Sequence, residues 1–195
     1  MVFELDAFVS ACRESLGARN AAEIVRDVVA RAVSNRSSLL ASIGEPKEAG
    51  ITPLYRAADL TILNVVWSPK MALLPHDHAM WAVIGIYGGR EDNIFWKRVP
   101  GSPDGRVEAA GAKSLGERDT VILGPDIIHS IANPIAKLTG SLHVYGGDFY
   151  EADRHEWDPE TLDERPYDFA RNTRLFAEEN ARLAAYGGNE NPNAS

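Results

Sequence analysis

What most restricts the fold of this chain is a change of texture near residue 50. Residues 3–43 place apolar side chains at helical spacing, whereas short β-rich runs follow, at 59–67, 81–87, 93–99, 119–123 and 138–146. Gly, Pro and Asp separate these runs, and no helical period connects them. Strands recurring in this way, with turn residues between them, close into a sandwich or barrel. The expected fold class is therefore mainly β: one barrel, preceded by helices and followed by another.

The helical part reads as two stripes. Leu5, Phe8, Val9, Cys12 and Leu16 form the first, which Gly17 ends; Ile24, Val25, Val28, Val29 and Ala32 form the second. Asn20 with Glu23 has the spacing of a capping box, and Cys12 reads as a small core residue. The turn cluster Pro100 to Gly105 is expected to join two halves of the sheet. A last helix is predicted over about 168–186, with Phe169, Phe176 and Leu183 a heptad apart. Gly187-Gly188 would stop it, leaving a disordered polar tail from Asn189 to Ser195. The organisation expected is a helical segment over 1–49, a barrel over 50–155 and an extension over 156–195, all in one structural domain.

Acidic residues outnumber basic ones by 28 to 20, for a formal net charge of -8. Such a surface repels phosphate backbones and anionic lipid, so neither nucleic acid nor membrane is expected as a partner. The apolar runs are too short to cross a bilayer, and Met1-Val2-Phe3-Glu4 lacks the features of a signal peptide. A single cysteine fits a reducing, cytoplasmic setting. Monomer and homodimer remain equally open.

Five histidines supply the chemistry. In Pro75-His76-Asp77-His78 the two imidazoles lie two residues apart, so an extended backbone turns both to one side and Asp77 to the other. Alone, such a pair is weak: about one chain in ten with this many histidines carries one by chance. His129, between two later β-rich runs and followed by Asn133, adds a third imidazole from another strand. Three neutral imidazoles suit Fe, Zn, Cu or Ni and leave coordination positions open.

The last run, Thr139 to Gly146, alternates. Leu142 and Val144 share one face; Ser141, His143 and Tyr145 share the other. Polar groups on an inward face must bond one another or a ligand. They can form a relay in which Ser141 orients His143 and His143 holds the Tyr145 hydroxyl toward the metal. The competing reading is the solvated face of an edge strand. A serine hydrolase is not indicated, because the chain has no Gly-x-Ser-x-Gly elbow.

His-x-His, followed by Pro125-x-x-x-His129-x-x-x-Asn133, resembles the paired motifs of the cupin superfamily, whose fold is a double-stranded β-helix or jelly-roll barrel. Cupins commonly carry a glutamate ligand four or five residues after the second histidine; Ala82 and Val83 stand there. That departure resembles the thiol dioxygenases, which bind iron through three histidines. Ser141-x-His143-x-Tyr145 is similar to the Ser-x-His-x-Tyr motif of cysteine dioxygenase and 3-mercaptopropionate dioxygenase, and His76-Asp77-His78 with a following aromatic residue resembles the bacterial enzymes. The likeness covers residues 50–155. It implies Fe(II) at His76, His78 and His129 (Zn or Ni being possible in the purified protein), and Ser141, His143 and Tyr145 as catalytic residues. It also implies a small thiol and O2 as the reacting partners, giving a sulfinate. The cysteine that crosslinks to the tyrosine in animal cysteine dioxygenases is replaced by Val83, so no crosslink is expected.

A carboxylate-bearing thiol also needs a cation, and arginine's fork suits one. Arg56 resembles the carboxylate-binding arginine of cysteine dioxygenases, and Arg154 that of the mercaptopropionate enzymes; each is otherwise a surface arginine. Trp81 is a third candidate for the substrate cavity, and Phe95 is another aromatic residue that either lines the cavity or fills the barrel. Two further readings stay open: a cupin metalloenzyme of other chemistry (another dioxygenase, an isomerase or a hydrolase), and a non-catalytic cupin that binds a metal or small ligand.

Overall fold

In the computed structural model, the described residues are 2–187, and among them three helices precede eleven strands and a final helix. The helices are α1 (Leu5–Ser15), α2 (Ala21–Ser34), α3 (Arg36–Ile43) and α4 (Phe169–Gly187). The strands are β1 (Gly50–Ala57), β2 (Leu60–Trp67), β3 (Ala72–His76), β4 (Ala82–Gly88), β5 (Arg90–Arg98) and β6 (Val107–Gly116). Then come β7 (Thr120–Leu123), β8 (Ile128–Ala132), β9 (Thr139–Tyr145), β10 (His155–Trp157) and β11 (Glu164–Pro166).

They form two antiparallel sheets, one ordered β1-β2-β9-β4-β7 and the other β11-β10-β3-β8-β5-β6. The chain passes from the five-stranded sheet to the six-stranded one at β2 to β3, β4 to β5, β7 to β8 and β9 to β10, and back at β3 to β4, β6 to β7 and β8 to β9, which winds the pair into a double-stranded β-helix. Alternation explains the two apolar layers. Leu63, Val65, Ala82 and Ile84 point between the sheets and meet Leu73 and Ile131 from the opposite side. Ile62, Val83, Leu142 and Val144 point outward from the five-stranded sheet into Val25, Val29 and Leu39 of the amino-terminal helices. The buried Cys12 belongs to this outer layer. Gly85 lets α2 approach: a Cβ there would lie 2.4 Å from Val29 Cγ1 and 3.1 Å from Val33 Cγ1. At the other end, Phe176 of α4 stacks on Trp67 at 5.6 Å, and Asn180 bonds both the N–H and the C=O of Ala49 at 2.8 Å.

Three expectations change. Asn20 is the N-cap of α2, but its side chain makes no cap bond. Its backbone (φ -108°, ψ 38°) is not the extended form that carries a cap side chain to the first turn, so the capping box is absent. The Pro100–Gly105 cluster closes the β5–β6 hairpin within one sheet and does not join two halves. The sheet also runs past residue 155, because β10 pairs with β3 and β11 pairs with β10. The final helix covers the predicted span; Gly188 and the tail Asn189 to Ser195 lie outside the described residues. None of the helices is long and apolar enough to cross a membrane, among the described residues.

Candidate metal centre

His76 ends β3 directly opposite His129 of β8 in the antiparallel register. His78 follows two residues later, and Asp77 between them turns away: its carboxylate accepts from the His155 N–H at 2.8 Å, while its own N–H donates to the His155 carbonyl at 3.1 Å. This pair of hydrogen bonds to the start of β10 holds the bend, so all three imidazoles converge. Their ligand atoms lie within 4.8 Å of one another, and the Nε2 atoms of His78 and His129 are 3.4 Å apart. His76 Nδ1 lies 2.8 Å from the Leu74 carbonyl, and His129 Nδ1 lies 2.7 Å from Asn93 Oδ1. Each partner is an acceptor, so each ring carries its proton on Nδ1 and offers the Nε2 lone pair inward.

The cluster is buried, and burial is the main cause of its basicity loss. The His76 pKa is lowered to about 4, and His78 and His129 fall well below the ordinary value, with neighbouring rings adding to the effect. Three neutral imidazoles with converging lone pairs are a donor set for Fe, Zn, Ni or Cu. Ala82, one of the two residues at the usual glutamate position, points into the barrel and offers no donor.

On β9, Ser141 Oγ lies 2.9 Å from His143 Nε2, and His143 Nδ1 lies 3.0 Å from the Tyr145 hydroxyl. The row is buried because β9 is central, with β2 on one side and β4 on the other, so the edge-strand reading does not apply. Burial lowers the His143 pKa to about 3 and raises that of Tyr145. A neutral His143 donates from one nitrogen and accepts at the other, which gives the row two possible polarities. The Tyr145 ring stands 5.1 Å from that of His78.

Between these groups lies a cavity with about 20 Å³ of space for the centre of a water-sized molecule, lined by His76, His78, His143, Tyr145, Trp67 and Tyr167 among others. That is room for a water or an ion. A larger ligand needs the wall to yield, and Tyr167 and Ile51 are its partly exposed residues.

Arg154 stands behind that wall with only 2% of its surface exposed. Its guanidinium lies 3.9 Å from the centre of the Phe149 ring, 4.1 Å from Tyr167 and 4.7 Å from Phe169. None of its three side-chain nitrogens makes a hydrogen bond of ordinary geometry, and the Tyr167 hydroxyl is the one side-chain group near enough to bond it weakly. Burial lowers its pKa, and the nearby Tyr167 and Tyr145 hydroxyls and Asp77 act against that shift. Its charge is close enough to lower the pKa of His76 and His78.

No protein-family model matches the chain. Solved structures similar to it include an RmlC-like cupin family protein with a double-stranded β-helix fold from Methanocaldococcus jannaschii, at 12% identity and a TM-score of 0.45, over 55% of this chain and 87% of that one. Another is a protein with a double-stranded β-helix domain from Klebsiella pneumoniae, at 14% identity and a TM-score of 0.43, over 57% and 83%. An oxalate oxidase in complex with the substrate analogue glycolate matches at 13% identity and a TM-score of 0.39, over 53% of each chain.

Two predicted substrate residues do not line the cavity beside the histidines. Arg56 is a surface residue whose Nε and Nη2 are forked onto Asp148 at 2.9–3.1 Å, with Nη2 also bonded to Glu151 at 3.0 Å. Trp81 packs on the helix side of the sheet, its indole against Gly146, where a Cβ would come within 2.1 Å of it. Phe95 faces the barrel interior opposite His129. Sequence reasoning passed over Phe149, Tyr167 and Asn93. The aromatic pair sits in irregular or edge segments without a period, and Asn93 lies on a strand whose two faces are both polar.

Proposed function

We propose that the protein is an Fe(II)-dependent thiol dioxygenase acting on a small carboxylate-bearing thiol of the 3-mercaptopropionate or cysteine type. The balance is RSH + O2 → RSO2H, both oxygen atoms entering the product. The observation that carries this reading is Arg154. A buried guanidinium with no ion-pair partner among the described residues is costly unless an anion meets it, and it stands beside an all-imidazole cluster. His76, His78 and His129 would hold the iron. Iron, when bound, supplies neighbouring positions for a thiolate and O2 and the electron transfer between them.

The chain's own residues do the rest. Arg154 takes the carboxylate in a bidentate grip and fixes the distance from that end of the substrate to the three imidazoles. Phe149, Tyr167 and Phe169 cover the guanidinium and keep water from it. With Ser141 donating to His143 Nε2, His143 Nδ1–H donates to the Tyr145 oxygen and leaves the phenolic proton free to bond the reacting group. The raised pKa of Tyr145 keeps that proton in place at neutral pH.

A metalloenzyme of other chemistry on a small carboxylate would share the Arg154 argument. Oxygen uptake separates the two. Fe(II)-loaded protein is expected to consume O2 with cysteine or 3-mercaptopropionate, and much more slowly with cysteamine, which lacks a carboxylate. No uptake with these or with mercaptosuccinate would refute the assignment.

A further inference from the structure

Glu91 of β5 has none of its surface exposed. One of its oxygens accepts from the Trp67 indole at 2.9 Å and the other from Asn93 Nδ2 at 3.0 Å. Burial raises its pKa to about 6, and the shift is opposed by these two bonds. The proposed chemistry leaves this carboxylate without a role.

Asn93 links it to the metal centre. The amide nitrogen of Asn93 donates to Glu91, and its oxygen faces His129 Nδ1 at 2.7 Å. The two ends of an amide have nearly the same shape, so packing alone does not decide which faces the imidazole. Glu91 decides it. A flipped amide would set oxygen against carboxylate oxygen and present N–H to His129 Nδ1. His129 would then have to carry its proton on Nε2, the atom that converges on His78. The other ligands do not depend on side chains in this way: His76 takes its orientation from the Leu74 carbonyl, and His78 Nδ1 has no hydrogen-bond partner.

We infer that Glu91 is a positioning residue for the metal centre, setting the orientation of Asn93 and thereby holding His129 as an Nε2 donor. The same carboxylate anchors Trp67, a wall of the cavity. The inference rests on the three-histidine metal site and is independent of the reaction carried out there.

The test exploits hydrogen-bond polarity. Glu91→Gln keeps shape and volume but replaces one of the two acceptors with a donor, so Trp67 and Asn93 can no longer both be satisfied. A double variant that combines Glu91→Gln with Asn93→Asp restores the pattern. The introduced glutamine accepts from Trp67 and donates to the introduced aspartate, which in turn accepts from His129. The double variant also keeps one buried negative charge. Zn(II) and Co(II) affinities are measured by competition with a chromophoric chelator, alongside the Co(II) absorption spectrum and the melting temperature of the metal-free proteins. Glu91→Gln is expected to weaken binding by roughly 10–100-fold, and the double variant to bind close to wild type with the wild-type spectrum. Unchanged affinity in Glu91→Gln, or a double variant no better than the single one, overturns the inference. A wild type that binds neither ion removes the metal centre itself, and with it this role for Glu91. Should the variants not fold, long-range ¹H–¹⁵N correlation spectra of the wild-type metal-free protein give the His129 tautomer directly: Nδ1–H is expected, and Nε2–H refutes it.

Discussion

Replacing Arg154 with Met tests the carboxylate anchor. In the ligand-free protein two effects oppose each other. Burying a guanidinium without an ion-pair partner costs several kcal/mol, and the variant is relieved of that cost. The three aromatic rings at 3.9–4.7 Å return about 0.5–2 kcal/mol each, which the variant loses. The two terms are of similar size and opposite sign, so they offset each other in large part and the melting temperature should move far less than either alone would move it. Catalysis has no such cancellation. Removing one partner of a buried, hydrogen-bonded charge pair costs about 2–5 kcal/mol, so kcat/KM for a thiol carboxylate should fall by roughly 30- to 4000-fold. Arg154→Lys should recover little of it, since an ammonium lacks the planar fork. Cysteamine, without a carboxylate, provides the control in the same oxygen-electrode assay, and its slow rate should be unchanged. A loss of equal size for thiols with and without a carboxylate, or no loss for either, would refute the anchoring role.

Removing the relay should leave the metal in place: His143→Ala is expected to lower kcat by about 10²–10⁴-fold, with Fe(II) stoichiometry unchanged by atomic absorption. Acid should unfold the metal-free protein early. Burial lowers the pKa of His143 to about 3 and of His76 to about 4, so below pH 6.5 the unfolded state binds protons that the folded state does not. Between pH 7.5 and 5.5 these two should remove about 3 kcal/mol of stability. Glu91, with its pKa raised to about 6, returns about 1 kcal/mol over the same range. Urea titrations across this window should show the net fall, and a flat profile would contradict it. Gly85→Ala places a methyl 2.4 Å from Val29 Cγ1 and should destabilise the protein by about 1–3 kcal/mol in the same titrations.

Much of the architecture was legible because a strand that packs one face on the core and the other on helices is buried throughout and reads as a nearly continuous apolar run. The runs that carry β2, β4 and β9 were readable for that reason. Strands that lack such a run left less signal. β6 is exposed along most of its length, and the Ala-Ala-Gly-Ala stretch within it has no apolar pattern to display. β1 carries Pro53 at a register shift and is nowhere fully buried. The histidine cluster was legible because its residue types are rare and its spacing local. The supporting residues were not, since Glu91 and Asn93 share their strand with Asp92 on the other face, and only the fold reveals which carboxylate is inside. Arg154 and Arg56 looked alike as charges in sequence. Partners distinguish them: two carboxylates meet Arg56, whereas Arg154 is walled by rings.

The most direct test of the central claim is isotopic. Protein loaded anaerobically with Fe(II) is exposed to ¹⁸O2 with 3-mercaptopropionate or cysteine, and the product is weighed by mass spectrometry while O2 consumption is followed. The account predicts one O2 consumed per thiol and a sulfinate carrying both labelled atoms. Unlabelled product, disulfide with peroxide, or no consumption at all would contradict it.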